Sequence, residues 1–135
     1  MKNKSVEEEI IKTYVIKNKQ ERILWELNNP KKRENVVFEK FAGLNLFKND
    51  YIQSIDFLSE EEMESYLFEI SKAKDVYFLG EGYLGKLSLK EAVKRAATGE
   101  ICLIYCGNGI GYYQGEQCEG KPPRILLKKK GKKLS

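Results

Sequence analysis

The segment 101–114, ICLIYCGNGIGYYQ, restricts the fold of this chain more than any other stretch of it. Residues 101–106 and 110–114 are rich in strand-forming side chains, and the dipeptide Asn108-Gly109 lies between them. Asn-Gly favours the positive φ angles of a tight primed turn. We therefore predict a β-hairpin, whose two strands must pair antiparallel.

The N-terminal third has the apolar spacing of helices. Apolar residues in 5–27 recur three and four positions apart, which predicts one long helix, and the polar stretch 17–20 within it marks either a bend or a solvated turn. A second helix is expected after Asn29, which can cap it, with Pro30 at its first position and Gly43 at its end. The two helices would form a helical hairpin, and Trp25 is predicted to pack between them.

Two serines open further predicted helices. Ser59 precedes Glu62, and Ser88 precedes Glu91, at the three-residue spacing of a capping box. Apolar residues at helical spacing follow each serine, and Gly99 is placed where the second helix should stop. The chain is therefore expected to contain two more helices beyond the helical hairpin.

Strand-forming residues separate these helices. Residues 51–57 and 75–79 are predicted strands, the second largely buried, and the glycines at 80, 82 and 85 are expected to form a loop. The resulting fold class is α+β. It comprises an N-terminal helical hairpin, a small mixed or antiparallel sheet with two further helices, and a C-terminal β-hairpin.

Charge divides the chain at about residue 120. Residues 1–120 carry 17 basic and 20 acidic groups, whereas residues 121–135 carry seven basic groups and no acidic one. We predict one α+β domain over 1–120 and a basic tail over 121–135. Within the tail, Pro122-Pro123 favours an extended entry to 124–127, a possible edge strand, followed by disorder.

Several classes of function are disfavoured by composition. The chain has no histidine, which removes histidine-based triads, histidine general bases and histidine-containing metal sites. Cys102 and Cys106 are predicted to be buried or half-buried, and Cys118 to be the exposed thiol. Because the three cysteines form no CxxC motif and no nucleotide-binding motif is present, neither a metal nor a cofactor is expected. With no apolar signal segment and no membrane-length apolar run, a cytoplasmic protein without a membrane partner is expected.

Two glycine-containing motifs admit more than one interpretation. GNGIG at 107–111 leads into a strand and lacks the lysine of a P-loop, so a hairpin turn is favoured over a phosphate site. LGEGYLGK at 79–86 joins a strand to a helix, and its glycines and Lys86 could hold an anion at the helix N-terminus, but a surface loop without a ligand is favoured. Glu60, Glu61, Glu62 and Glu64 form an acidic cluster in a predicted helix, and their interaction with the helix dipole explains the cluster without a site. An enzyme that uses carboxylates is the third-ranked function.

The first-ranked function is non-catalytic binding of another macromolecule, most simply a protein, as in small inhibitor, immunity or antitoxin proteins. Tyr112 and Tyr113 are neighbours on the returning strand, so one ring should be buried and the other exposed for contact. The partner-binding candidates are Tyr83, Tyr112, Tyr113 and Arg124.

The alternative function is nucleic-acid binding, in which the basic tail contacts phosphates and the hairpin tyrosines stack on bases. The net negative charge of residues 1–120 counts against an extensive nucleic-acid surface. The phosphate-binding candidates are Lys86, Lys128, Lys129, Lys130, Lys132 and Lys133.

Overall fold

A computed structural model describes residues 4–41, 46–55, 59–115 and 124–128, and within them the α+β class is confirmed. The helices are α1 (Lys4–Tyr14), α2 (Lys17–Leu27), α3 (Val36–Lys40), α4 (Glu60–Ser71) and α5 (Leu89–Ala97). The strands are β1 (Ile52–Ser54), β2 (Asp75–Gly80), β3 (Leu84–Ser88), β4 (Cys102–Gly107), β5 (Ile110–Gln114) and β6 (Arg124–Lys128).

The six strands form one sheet in the order β1-β6-β5-β4-β2-β3, and every neighbouring pair is antiparallel. This order corrects two predictions. Strand β6 is not an edge strand, because it lies between β5 and β1, with Leu127 opposite Ile52. The predicted glycine loop is mostly a strand: β3 pairs with β2, and only residues 81–83 form the turn between them.

Helices cover both faces of the sheet. Side chains from α1, α2 and α3 pack on one face, against residues that include Tyr77, Leu103 and Tyr113. Side chains from α4 and α5 pack on the other face, against residues that include Phe78 and Tyr112. Successive residues of each strand point to opposite faces, so the central strands are buried on both sides.

The β4–β5 hairpin is confirmed. Asn108 and Gly109 have φ angles of 54° and 78°, as the predicted primed turn requires. The prediction that one of its two tyrosine rings is exposed and the other buried is wrong. Tyr112 and Tyr113 do point to opposite faces, but they are 1% and 0% exposed because each face carries its own layer of helices.

The long N-terminal helix is also corrected, since it is divided into α1 and α2 at residues 15–16. The segment 46–48 runs beside this break and supplies backbone partners. The Ile16 N–H donates to the Leu46 carbonyl (3.0 Å), and the Lys48 N–H donates to the Tyr14 carbonyl (2.8 Å). The polar stretch 17–20, where a bend is one of two predicted alternatives, instead begins α2. Because both bonds come from residues some 30 positions away, the local pattern does not place the break at 15–16.

The two serine caps are in place. The Ser59 hydroxyl accepts from the Glu62 N–H (3.2 Å) and the Glu62 carboxylate accepts from the Ser59 N–H (2.9 Å), which is a complete capping box. The Ser88 hydroxyl accepts from the Glu91 N–H (3.1 Å). In the described parts of the chain, no helix has the length and apolar character needed to cross a membrane.

Candidate binding groove at the β3 edge

Burial removes two of the predicted contact residues. The Tyr112 hydroxyl donates to Oε1 of buried Gln114 (2.8 Å), and the Tyr113 hydroxyl donates to the Phe41 carbonyl. Gln114 in turn donates to the carbonyls of Ala96 and Glu100 at the end of α5. Both tyrosines therefore stabilise the core, and neither ring is accessible to a protein partner or to a nucleic-acid base.

The other candidates do not form one site. Tyr83 and Lys86 belong to the β2–β3 hairpin, Tyr83 half-buried and Lys86 exposed. Half-buried Arg124 and exposed Lys128 are on β6, four strand spacings away, or about 19 Å across the sheet. The remaining tail lysines, at 129, 130, 132 and 133, lie outside the described residues, as does Cys118.

Strand β3 ends the sheet, and its outer side presents backbone groups. The Gly80 N–H donates to the Tyr83 carbonyl (2.9 Å), so these two residues are a hydrogen-bonded pair. Hydrogen-bonded and non-bonded pairs alternate along an antiparallel ladder, so Leu84 and Lys86 direct their N–H and C=O groups outward. The Tyr83 hydroxyl donates to the Lys86 carbonyl (3.0 Å), which has a second lone pair.

A groove of about 620 Å³ adjoins this edge. One wall is formed by Pro30, Arg33 and Glu34, and the other by residues 80–84 of the β2–β3 hairpin. Leu84 packs with the core beneath α1–α3, so the groove opens on that side of the sheet. Lys86 lies opposite Tyr77 and therefore shares this face.

Arg33 contributes little free charge to the groove. Its guanidinium donates to both carboxylate oxygens of Glu7, at 2.7 Å for the first, and to the Leu27 carbonyl (3.0 Å). The Glu7 side chain is 2% exposed and also accepts from the Tyr77 hydroxyl. Hydrogen bonding to Glu7 raises the pKa of Arg33, so the guanidinium stays charged and its charge is directed at the buried carboxylate and not into the groove.

The tip of the β2–β3 hairpin is held by two hydrogen bonds to residues 100 and 101, which precede β4. The Glu81 carboxylate accepts from the Ile101 N–H (2.8 Å), and the Glu100 carboxylate accepts from the Gly82 N–H (2.9 Å). Arg95 lies 3.3 Å from Glu100 and 5.6 Å from the centre of the Tyr83 ring. Because Glu100 occupies the Gly82 N–H, that group is not available to the anion considered for the LGEGYLGK motif.

Trp25 is a further accessible aromatic residue, and its predicted core position is wrong. Its side chain is 52% exposed on α2, with the Arg22 guanidinium 5.5 Å from the ring centre. The Arg22 charge is paired with the buried Glu26 carboxylate (2.7 Å). Helix α2 instead packs through Ile23 and Leu27, which lie on its opposite side.

The two cysteines that the structure describes are inaccessible. Cys102 and Cys106 are buried, as predicted, and burial raises the pKa of the Cys106 thiol to about 11. No group of three acidic or cysteine side chains in these ranges is arranged to hold a metal ion.

The β3 edge offers hydrogen-bonding backbone groups. The groove offers the carboxylates of Glu34 and Glu81 and the apolar side chains of Pro30 and Leu84. Such an arrangement can bind an extended peptide and one of its side chains. No protein-family model, no curated protein and no solved structure matches this chain.

Proposed function

We propose that this protein is a non-catalytic binding protein that takes up an extended segment of a partner protein as an additional strand beside β3. One observation carries the proposal: Leu84 and Lys86 direct backbone groups outward from the edge of the sheet, and a groove of about 620 Å³ begins at Leu84. Strand addition obtains affinity from main-chain hydrogen bonds and specificity from pockets for alternate side chains. Inhibitor, immunity and antitoxin proteins are binding proteins of this general kind.

Lys86 makes the β3 edge selective. A lysine in the middle of an edge strand opposes uncontrolled pairing, because its charge must be solvated or matched. An arriving segment that matches this charge is accepted, and one that leaves it unmatched is rejected. The anchored hairpin tip presents the edge in one conformation, which lowers the ordering cost of binding.

Protein binding is favoured over nucleic-acid binding by the positions of the aromatic residues. Stacking on bases requires accessible rings, and Tyr112 and Tyr113 are enclosed by helices on both faces. Lys86 and Lys128 are the phosphate-binding candidates among the residues that the structure describes, and they stand on strands four positions apart in the sheet. A protein segment needs only the β3 edge and the groove.

Strand addition is tested by a pair of variants that differ in one backbone N–H. Peptides that bind the wild-type protein are first selected from a phage-displayed random library. Their affinities are then measured for Lys86→Pro and Lys86→Thr. Both variants lose the lysine charge, but only proline also loses the outward N–H, at a position where no sheet hydrogen bond is made.

The proline variant should bind at least about tenfold more weakly than the threonine variant, because one main-chain hydrogen bond is lost and its acceptor is left unpaired. Circular dichroism should give both variants the same melting temperature within a few degrees. Equal affinities of the two folded variants would refute strand addition at β3.

A further inference from the structure

We infer that the partner segment carries a basic side chain that enters the groove and an acidic side chain that pairs with Lys86, two or four positions apart. This inference rests on the proposed function and names the chemistry of its partner. It follows from the charges along the α1–α3 face of the β3 edge and from the two-residue repeat of a strand.

The groove favours a positive charge. Glu34 and Glu81 line it and are both exposed, whereas the Arg33 charge is already matched by Glu7. One oxygen of Glu81 accepts from the Ile101 N–H, which fixes the carboxylate and leaves its second oxygen for a ligand. The exposed Lys31 and Lys32 belong to the same segment as Pro30 but do not line the groove.

The groove also suits the long stem of a lysine or arginine. Pro30 and Leu84 line the groove together with the two glutamates and supply apolar surface, and a methylene chain can lie against such surface while its charged end stays in water. The volume of about 620 Å³ is ample for one such side chain.

Lys86 favours a negative charge on the partner segment. It lies two residues beyond Leu84 on the same face of β3. Alternate residues of an added strand face the same side as Leu84 and Lys86. A side chain level with Leu84 or with the hairpin turn reaches the groove, and one level with Lys86 meets the lysine. The basic and acidic residues of the segment are therefore separated by one or three residues, in an order set by the direction of the added strand.

The probes are the peptides selected on the wild-type protein. Their affinities are measured for Glu34→Gln/Glu81→Gln, which keeps an amide oxygen for the Ile101 N–H and removes both groove charges. The matched control is Glu61→Gln/Glu69→Gln, which removes two exposed charges from α4 on the opposite face. A second selection is carried out on Lys86→Glu.

The selected peptides should share a basic and an acidic residue at the stated spacing. The groove variant should bind them about fivefold more weakly, and the α4 control within about twofold of wild type, as expected for exposed ion pairs. Selection on Lys86→Glu should replace the acidic residue with a basic one.

Three other results would overturn the inference in distinguishable ways. Peptides that depend on the Lys86 N–H but show no charge pattern would leave strand addition standing and refute the charge selection. Equal losses in the groove and α4 variants would assign the effect to net charge. Failure to select any peptide would overturn the proposed function, and the charge selection with it.

Discussion

Truncating either hairpin tyrosine is expected to destabilise the protein severely, and by similar amounts. Tyr112 and Tyr113 are adjacent in sequence, 1% and 0% exposed, and packed against different helical layers. The Tyr113 ring centre is 4.6 Å from that of Phe47. Replacing a buried aromatic ring with alanine removes its transfer free energy and leaves a cavity, which costs about 3–5 kcal/mol.

That loss is a large part of the total stability. Proteins of this size have free energies of unfolding of roughly 5–15 kcal/mol, so each alanine variant is expected to lose about a fifth or more of its stability. The hydroxyl groups contribute separately. Tyr112→Phe leaves Oε1 of Gln114 without its donor and Tyr113→Phe leaves the Phe41 carbonyl without one, each costing about 1–3 kcal/mol.

Urea unfolding followed by circular dichroism measures these differences. Phe68→Ala is the control, because it also truncates an aromatic ring but one that is 40% exposed on α4. Its cost should stay below about 1 kcal/mol. If one tyrosine-to-alanine variant lost less than about 1 kcal/mol while the other lost 3 or more, one face of the sheet would be open and the two-layer arrangement would be refuted.

Three further predictions concern other parts of the molecule. Glu7→Gln should lower the free energy of unfolding by about 3 kcal/mol, since it breaks a buried ion pair and leaves Arg33 uncompensated; urea unfolding measures this. Burial of Tyr105 and the hydrogen bond from its hydroxyl to Glu9 raise the pKa of Tyr105 from 10 to about 12. This contribution to stability is complete below pH 10 and is lost as pH rises towards 12, so melting temperatures should fall across that window; a constant melting temperature there would contradict it. Trp25, the single tryptophan, should be quenched readily by acrylamide in the folded state, and Trp25→Ala should cost less than about 1 kcal/mol.

Features governed by neighbouring residues were predictable from the sequence. The Asn108-Gly109 turn follows from the φ angles that these two residues tolerate, and the Ser59 capping box follows from a fixed spacing of donor and acceptor. Cys102 and Cys106 lie in a continuous apolar run, so their burial also follows from local pattern. In each case the deciding interaction joins residues only a few positions apart.

Features that depend on distant partners were not predictable in this way. The break between α1 and α2 is stabilised by bonds from residues 46–48, and the interior position of β6 depends on pairing with β1. The glycines at 80, 82 and 85 are typical of a loop, yet Gly85 pairs with Phe78 inside a regular ladder. Which strands pair depends on the path of the chain between them, and a local sequence pattern does not specify that path.

The candidate site was predictable only in part. Tyr83 and Lys86 are predicted as binding residues because they flank glycines next to a helix. Both belong to the hairpin that borders the groove. Arg33 and Glu34 are not predicted as binding residues, because nothing near them in the sequence relates them to residues 80–84. Glu7 lies 26 residues from Arg33, and the charge on Arg33 can be judged only once that pair is known.

The error over Tyr112 and Tyr113 has a physical cause that bears on where function can reside. One exposed ring was expected on the assumption that a small antiparallel sheet has one solvated face. The runs 76–79, 102–106 and 125–127 are, however, continuously apolar, a pattern typical of strands buried on both faces. A sheet enclosed in this way has no open face for a partner, so its accessible backbone groups are confined to its edges. Of the two edges, β1 is three residues long and β3 is five residues long with a groove beside it. The same enclosure that buries both tyrosines is therefore a reason to propose the β3 edge as the place where a partner segment binds.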